Sequence, residues 1–442
     1  MLEKPQALVD HIIQLCRGKR IWVAYSGGVD SHVLLHLLAT SNHPDLSQIS
    51  AVHIDHGLHD DSVMWQQHCK SVAEKLAVDF YSLRVQVEAI AELGLEAAAR
   101  KARYAAFSKL LANTDVLLTA QHQRDQAETV LLQLLRGAGP YGLSAMAEQR
   151  HLGELDVVRP LLTTPKSVIM AYAANYQLHW LDDPSNLDNS LNRNYLRHII
   201  WPEIQRRWPS ADTTLSRSAQ HCADASSVMT DVAVDDALQI GFSATEATFS
   251  IPALLRLSQA RQRNVLRYLI TRLEFSLPPT SVLQCVLEEL CLAQQDAQPL
   301  ISWSGVEVRR FRDKAYLMAS NIDQEPLQPL TINNISDIKV SDGCFLHWQQ
   351  SDTSGIHLSS IEKGLELRYR QGGEKLLFHG QHHSLKKLFQ QWGIPPWQRD
   401  RVPLLFQDDE LIAVVGYSIN DKLLKPEFEP CYIPMIKIRG LT

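Results

Sequence analysis

The chain is poor in cysteine, with seven in 442 residues, an odd number scattered singly and without a CxxC pair. That excludes a disulfide framework and a cysteine-ligated zinc site, and it points to a reducing compartment, expected to be the cytoplasm. Long apolar runs are missing as well. None reaches the ~18 residues of a membrane span, so no membrane partner is expected. Glu3, Lys4, Asp10 and Arg17 interrupt MLEKPQALVDHIIQLCRGKR, where a secretory signal needs an apolar core. There is no internal repeat and no low-complexity tract. Nor is there an excess of positive charge: 43 Lys and Arg against 49 Asp and Glu give −6. A nucleic-acid partner must therefore show itself in local charge rather than in the total. What remains, at 45% AVILMFWYC, is a multidomain globular protein of about three domains by length.

The most informative segment is IWVAYSGGVDS, Ile21 to Ser31, followed by the helical pattern HVLLHLLA. A strand runs into a glycine turn and then a helix. Gly27 and Gly28 let the backbone approach an anion, the helix start aims unpaired N–H groups at it, and Ser26 and Ser31 add hydroxyls. Such a turn cradles phosphate. It is not a Walker A loop, because no Gly-Lys-Ser/Thr ends it, and it lacks GxGxxG spacing. It resembles the SGGxDS pyrophosphate loop of the N-type ATP pyrophosphatases, which cleave ATP between the α and β phosphates.

From Lys19 to about Pro160, β-rich runs (IWVAY, ISAVHI, VDFYSLRV, DVLLTA, DVVRP) alternate with helical patterns at 62–77, 95–111 and 125–135. This alternation predicts an α/β fold: a parallel, Rossmann-like sheet whose ligand cleft lies beyond the carboxyl ends of its strands. Helical patterns follow over 165–217, 216–237 and 251–292. Residues 321–354, rich in Asn, Asp, Gln and Ser, read as a connector, and 355–442 as a small α+β unit with strands around the helix SLKKLFQQWG. The expected domains are therefore 1–215, catalytic; 216–320, mainly helical and substrate-binding; 321–354, connector; and 355–442, C-terminal.

Several constellations lie at the polar ends of these strands. HIDHGLHDDS presents His53, Asp55, His56 and Gly57, where Asp55 and Gly57 suit either a ligand or a turn. LEAAARKARYAAF sets Glu96 and Arg100 at i,i+4 with Arg103 and Tyr104 beside them, a site or a surface ion pair. In HQRDQAET, Asp125 and Glu128 share one helix face, turned to the cleft or merely favouring the helix dipole. Gly137 opens RGAGPYGLSAM, whose glycines suit close backbone approach or special turns. RNYLR and its continuation carry Arg193, Asn194, Arg197, Arg206 and Arg207 at helical spacing, a phosphate fork or a complement to a helix C-terminus. Between Arg368 and Arg401, Arg368, Arg370, Lys375, Lys386, Lys387, Arg399 and Arg401 face only Glu374 and Asp400. This basic stretch suits a nucleic-acid backbone, while Tyr369, Phe378, Trp392 and Trp397 suit a small core. His382 and His383 lack partners at metal spacing.

Taken in order, SGGVDS, HIDHG, EAAARKARY, HQRDQAET, RGAGPYGLSAM, DDPSN and RNYLR, with GGEK, LKKLFQQWGIPPWQRDRVPLLF and LIAVVG near the C-terminus, resemble the tRNA(Ile)-lysidine synthetases over nearly the whole chain. The resemblance implies an adenine nucleotide alpha hydrolase-like first domain and a ligase. Such enzymes adenylate O2 of the wobble cytidine in a CAU-anticodon tRNA(Ile) and join L-lysine to C2, releasing AMP and pyrophosphate. Codon reading then changes from AUG to AUA, and identity from Met to Ile.

Carried onto this chain, the resemblance assigns ATP to Ser26, Gly27, Gly28, Val29, Asp30, Ser31, His53, Asp55, His56, Arg100 and Gly137. Catalysis falls to Asp30, Arg103, Asp125 and Glu128, with Asp30 also on Mg²⁺ and the last two acids drawing and deprotonating the lysine ammonium. The tRNA falls to Arg193, Asn194, Arg197, Arg206, Arg207, Arg368, Arg370, Lys375, Lys386, Lys387 and Arg399. Three positions depart from the family pattern: Gln121 and Arg124 in the acidic segment, and His59 where arginine is common. A tRNA thiolase shares the loop but needs cysteines to relay sulfur. An amidotransferase-coupled synthetase needs no basic C-terminal module, and a non-catalytic tRNA-binding protein needs no Asp30.

Overall fold

The computed structural model describes every residue except 1–4, 42, 45, 47, 58–61, 90–93, 294–296, 298, 321–327, 342–343, 353, 424–429 and 439–442. His59 lies outside the described residues. The chain divides into two compact units, Met1–Ala233 and Val234–Thr442.

The first unit is built on a six-stranded sheet. Its strands are β1 (Arg20–Ala24), β2 (Ile49–Asp55), β3 (Asp79–Arg84), β4 (Asp115–Leu118), β5 (Gln149–Leu152) and β6 (Leu155–Val158), in the order β3-β2-β1-β4-β6-β5. All neighbours are parallel except the edge pair β5–β6. The central strands are near-continuous apolar runs, as burial on both faces demands. Val23, Leu117 and Val157 have no exposed surface.

Helices cover the faces: α1 (Pro5–Cys16), α2 (Val29–Ala39), α3 (Ser62–Lys75), α4 (Leu95–Leu110), α5 (Gln123–Leu135), α6 (Pro140–Leu143) and α7 (Lys166–Asn175). Helix α2 is apolar around most of its circumference, with Val33, Leu34, Leu35, Leu37 and Leu38 all buried, so it is enclosed by its neighbours rather than laid on a surface. The chain order reverses beside β1, whose two partners are β2 and β4. That is the switch point at which an open parallel sheet leaves a crevice. The turn after β1 stands there.

His32, on α2, is buried with no hydrogen-bond partner for Nδ1 among the described residues. Burial, followed by the charges of His36 and His68, pushes its pKa down to about 4. A folded-state pKa below the unfolded value near 6.5 stabilises the fold fully above that value. The contribution is lost as pH falls from about 6.5 through about 4, roughly 2 kcal/mol of it between pH 7 and pH 5. Urea midpoints at those two pH values should separate less in His32→Leu than in the unsubstituted chain. Equal separations would remove His32 from the acid response.

The first unit continues through α8 (Asn192–Tyr195), a π-helical turn (Leu196–Ile200) and α9 (Trp201–Arg207), and α10 (Ala211–Gln239) runs on into the second. Residue 215, the expected domain boundary, lies inside that continuous helix.

The second unit begins with α11 (Ile251–Leu255), α12 (Gln259–Arg272) and α13 (Thr280–Cys285), packed on an antiparallel sheet of β7 (Thr248–Ser250), β8 (Leu300–Trp303), β9 (Val306–Phe311) and β10 (Lys314–Ala319). The helical expectation for 216–320 therefore needs correcting at its end. LISW and KAYLMA alternate in burial along a strand period, the strand VEVRRF between them is mostly buried, and Ser304–Gly305 and Arg312–Asp313 make the turns.

The connector expectation for 321–354 is corrected in the same way. β11 (Leu330–Ile332) pairs with β15 (Leu365–Arg368), while β13 (Cys344–Ser351) pairs with β12 (Ile338–Ser341) and, over eight residues, with β21 (Cys431–Ile438). Strands on both sides of 354 thus belong to the same sheets. The remaining elements are β14 (Ile356–His357), α14 (Leu358–Lys363), the β16 (Lys375–Phe378) and β17 (Gln381–Ser384) hairpin, α15 (Leu385–Gln391), α16 (Pro396–Arg399), β18 (Leu404–Gln407), β19 (Glu410–Val414) and β20 (Ser418–Ile419). No described helix is long and apolar enough to cross a membrane.

Candidate active site

The turn after β1 is shaped by its own side chains. Gly27 adopts φ +86°, and a Cβ there would stand 3.0 Å from Cys69 Sγ, so a side chain is opposed by both backbone conformation and space. Leu181 N–H donates to Gly27 O at 3.0 Å, tying the DDPSN-side strand of chain to the turn. Ser31 Oγ accepts from Ser26 N–H at 3.2 Å and donates to Gly28 O at 3.0 Å, and the two hydroxyls lie 3.1 Å apart. Gly28 caps α2 without a side-chain bond, so the first amides of the helix remain available for an anion.

Asp30, in the first turn of α2, is the charged member of this cradle. Lys166 Nζ lies 2.5 Å from its Oδ1, and His122 Nε2 lies 3.6 Å from its Oδ2. Burial works against the carboxylate, but the His122 hydrogen bond and the Lys166 ammonium hold its pKa below the usual range. Lys166 is the first residue of α7, where the helix dipole disfavours a cation and makes a carboxylate partner valuable. Sequence reasoning missed it. The only signal was a lysine directly after Pro165 at a helix start.

His122 links the loop to the acidic segment. It is buried and caps α5: the Asp125 amide donates to its Nδ1 at 3.4 Å, while Asp125 Oδ2 accepts from the His122 amide at 3.0 Å. This reciprocal capping box explains why Asp125 follows His122 by three. Asp125 Oδ1 then accepts from Arg193 Nη2 at 2.9 Å and Arg197 Nη2 at 3.1 Å. Glu128 accepts from Arg193 Nε at 3.2 Å, Arg197 Nε at 2.9 Å and Arg197 Nη2 at 2.8 Å, and has no exposed surface.

Two expectations change together here. Asp125 and Glu128 are not a free pair awaiting an ammonium, because two guanidiniums already neutralise them. Arg193 and Arg197 are not an open phosphate fork, since Nε and Nη2 of each are spent on those acids. Burial disfavours the charge on Arg197, yet hydrogen bonding and the charge of Glu128 outweigh it and hold the guanidinium protonated. Each arginine keeps Nη1 outside these pairings.

The HIDHG residues form a separate group. His53 is buried against Tyr25 O at 3.0 Å, and burial lowers its pKa. Asp55 accepts from Gly57 N–H at 2.8 Å, an Asx turn, so the turn alternative holds for both residues. His56 Nε2 lies 3.3 Å from Arg103 Nη2, and burial pushes its pKa down to about 4, so it is neutral near pH 7. Arg100 lies over the Tyr104 ring at 5.0 Å. Gly137, at φ +72°, closes α5 by donating to Leu134 O at 3.0 Å, as a helix terminator does. Asn194 is buried and donates to Asp188 O at 2.9 Å. Arg206 pairs with Glu203 at 2.9 Å, and Arg207 is exposed.

The two departures in the acidic segment have partners of their own. Arg124 donates to Asp212 Oδ2 at 3.1 Å and Gln205 Oε1 at 2.9 Å, and its guanidinium lies over the Trp201 ring at 5.4 Å. Gln121 accepts from Thr119 Oγ1. Arg124 thereby clamps α5 to the start of α10.

In the second unit, much of the basic stretch is spoken for. Arg368 pairs with Asp409 and Glu366 and covers the Phe406 ring. Arg370 pairs with Asp400 at 3.1 Å, and Arg399 Nε donates to Ile394 O at 2.9 Å. These three therefore have partners within the unit, which the run of charge in the sequence does not show. Lys375, Lys386 and Lys387 are exposed, with no ion pair among the described residues.

For magnesium, the donor set at the loop is a single carboxylate with Lys166 and His122 against it, and no group of three or more candidate ligands occurs among the described residues. That makes no all-protein cage; magnesium, which keeps several waters and takes one or two carboxylates beside substrate phosphates, would meet Asp30 only with the nucleotide bound.

The PP-loop domain matches residues 1–204, the TilS substrate binding domain residues 249–316 and the TilS substrate C-terminal domain residues 365–435. The chain is 41% identical to the tRNA(Ile)-lysidine synthase of Coxiella burnetii over 94% of this chain and 92% of the relative. It is 39% identical to that of Legionella pneumophila strain Philadelphia 1 (95% and 96%), and 35% identical to that of Yersinia pseudotuberculosis (97% and 96%). A solved U34-tRNA thiolase, NcsA from Methanococcus maripaludis with its [4Fe-4S] cluster, is 14% identical over 49% of this chain and 80% of its own, at a TM-score of 0.39, too distant to bear on the assignment. With a phosphate cradle at the switch point, an ion-paired network reaching into it and relatives aligned along nearly the full length, the chain belongs to the tRNA(Ile)-lysidine synthase family.

Proposed function

We propose that this ligase uses ATP to adenylate O2 of the wobble cytidine in a CAU-anticodon tRNA(Ile) and then joins L-lysine to C2. O2 attacks the α-phosphorus and pyrophosphate leaves. The lysine side-chain amine, having lost its proton, attacks C2, and AMP carries O2 away. The observation that supports this reading best is the continuous run of polar contacts from the loop through Asp30, Lys166 and His122 to Asp125, Glu128, Arg193 and Arg197.

Negative charge grows on phosphate oxygens as pyrophosphate departs, and positioned donors stabilise it without reorganising. The free α2 amides supply such donors at the loop. Lys166 trades Asp30 for a phosphate oxygen, and Nη1 of Arg193 and Arg197 is what remains for substrate. Asp125 and Glu128 hold those arginines in place, so the lysine ammonium is met by other groups. Magnesium, if required, arrives on the nucleotide, and no step here is routed through it. Mass analysis of a CAU-anticodon tRNA after incubation with ATP and lysine tests the reaction. A gain of lysine less one water at that cytidine, with AMP released, is expected. An unchanged mass, or a gain of sulfur, overturns it.

Lys375, Lys386 and Lys387 give the second unit its tRNA role in this reading. A truncation after residue 320 removes the sheets whole, whereas a cut near 355 would separate β11 and β13 from their partners. Loss of each phosphate contact lowers the log–log salt slope of tRNA affinity by about 0.7 to 0.9. The truncation and the Lys386→Ala, Lys387→Ala double variant should both flatten that slope and leave ATP affinity unchanged. Unaltered slopes would make these lysines a solvated face.

A further inference from the structure

We propose that Arg124 is a positioning residue for the ligase chemistry: by gripping Gln205, Asp212 and the Trp201 ring, it fixes the register of the π-helical turn that holds Arg197 over Glu128.

The backbone alone does not fix that register. Residues 192–207 are helical throughout, but Leu196–Ile200 is a π turn, in which the Trp201 amide donates five residues back to Leu196 O. Pro202 follows at the start of α9 and has no N–H to give. A π turn admits one residue more than an α turn, and a proline interrupts the hydrogen-bond ladder. Side chains therefore decide how far Arg197 is wound round.

One stripe of α5 does this from both sides of the turn. Arg124, Ala127, Glu128 and Leu131 follow i, i+3, i+4, i+7 and share a helix face. Before the proline, Glu128 holds Arg193 and Arg197. After it, Arg124 Nε and Nη2 meet the two carboxylate oxygens of Asp212 at 3.4 and 3.1 Å, and Nη2 also donates to Gln205 Oε1 at 2.9 Å. Between the two grips Trp201 is wholly buried in a cluster with Ala127 and Ala211, and the Arg124 guanidinium lies 5.4 Å from its ring centre. The planar fork of arginine suits this work, because it takes both oxygens of one carboxylate while covering a ring.

Helix α5 alone gains nothing from the residue. Arg124 is its second residue, where the helix dipole disfavours a cation, and the side chain is only 23% exposed. Asp212, in the first turn of α10, offsets both costs. Removing Arg124 leaves Asp212 without this guanidinium and uncovers one side of Trp201, which frees the far end of the π turn to rewind. Arg197 then shifts against Glu128, and its remaining Nη1 leaves the place where it meets substrate. Misplacing such a group by about 1 Å costs on the order of 10²-fold in rate.

This role rests on the ligase reading above, so one readout follows the reaction and a second does not. Full chains carrying Arg124→Ala or Arg124→Lys are compared with the unsubstituted protein by single-turnover, tRNA-dependent pyrophosphate release and by amide hydrogen exchange over 196–207, with the melting temperature reporting the fold. In Arg124→Ala, release at saturating ATP and lysine should fall about 10²-fold with the KM for ATP unchanged. Exchange over 196–207 should quicken well below the melting temperature, as local opening does. Arg124→Lys keeps one charged contact with Asp212 and should recover part of both, and it carries the same paired test if the alanine variant does not fold. Normal release with quickened exchange, slowed release with unaltered exchange, or an effect confined to the KM for ATP overturns the positioning role. Quickened exchange in Arg124→Ala, where the unsubstituted chain itself releases no pyrophosphate with this tRNA, upholds the register and overturns the ligase reading instead.

Discussion

Asp30→Ala is expected to lower tRNA-dependent pyrophosphate release by at least about 10²–10³-fold, the scale of losing one positioned electrostatic group at a developing charge, while leaving the first unit folded. The side chain stands at the mouth of the loop rather than in the core, and its two contacts are to Lys166 and His122. Removing it leaves an ammonium at the start of α7 without its partner and His122 with only the α5 cap. Lys166 then loses the group that aims it at the cradle. Asp30→Asn keeps the shape and removes the charge, so it separates steering from space-filling and should fall nearly as far. Far-ultraviolet circular dichroism and the melting temperature report the fold, and a single-turnover pyrophosphate assay reports the step. Near-normal release from a folded Asp30→Ala protein would remove Asp30 from the chemistry and leave the backbone amides of α2 as the whole cradle.

The loop and the parallel sheet were readable because both rest on local pattern. SGGVDS sits between an apolar run and a helical one, and β1, β2, β3, β4 and β6 fall within a residue or two of the runs that predict them. Three features were not readable, each for a physical reason. The strands at 300–319 follow a long helical stretch, and four- to six-residue runs separated by two-residue turns carry little signal against that background. The polar composition of 321–354 conceals β11–β13, because edge and half-exposed strands tolerate Asn, Gln and Ser on the solvent face. The partners of Asp125, Glu128, Arg193 and Arg197 were invisible because sequence shows charge but not pairing. About 70 residues separate the acids from the arginines, and each set alone looks available for substrate. The same applies to Arg368, Arg370 and Arg399, counted as a basic patch but mostly turned to nearby acids and carbonyls.

Glu128 gives the second large effect, and here stability and catalysis must be read together. It is wholly buried and accepts three hydrogen bonds from two guanidiniums. Glu128→Gln keeps the volume but strands the positive charges against Asp125 alone. Breaking a buried ion pair from one side typically costs ~3–5 kcal/mol, so the denaturant midpoint of the first unit should fall accordingly. Asp125→Asn should cost less: Asp125 retains 13% side-chain exposure, and an asparagine oxygen can still cap the helix. The kinetic signature follows from the arginines losing their position. The rate of pyrophosphate release should drop at saturating ATP and lysine alike, with the KM for lysine little changed. If instead Glu128→Gln is as stable as the unsubstituted chain and raises only the lysine KM, the carboxylate binds the amine directly. The arginine cluster would then have to open to admit it.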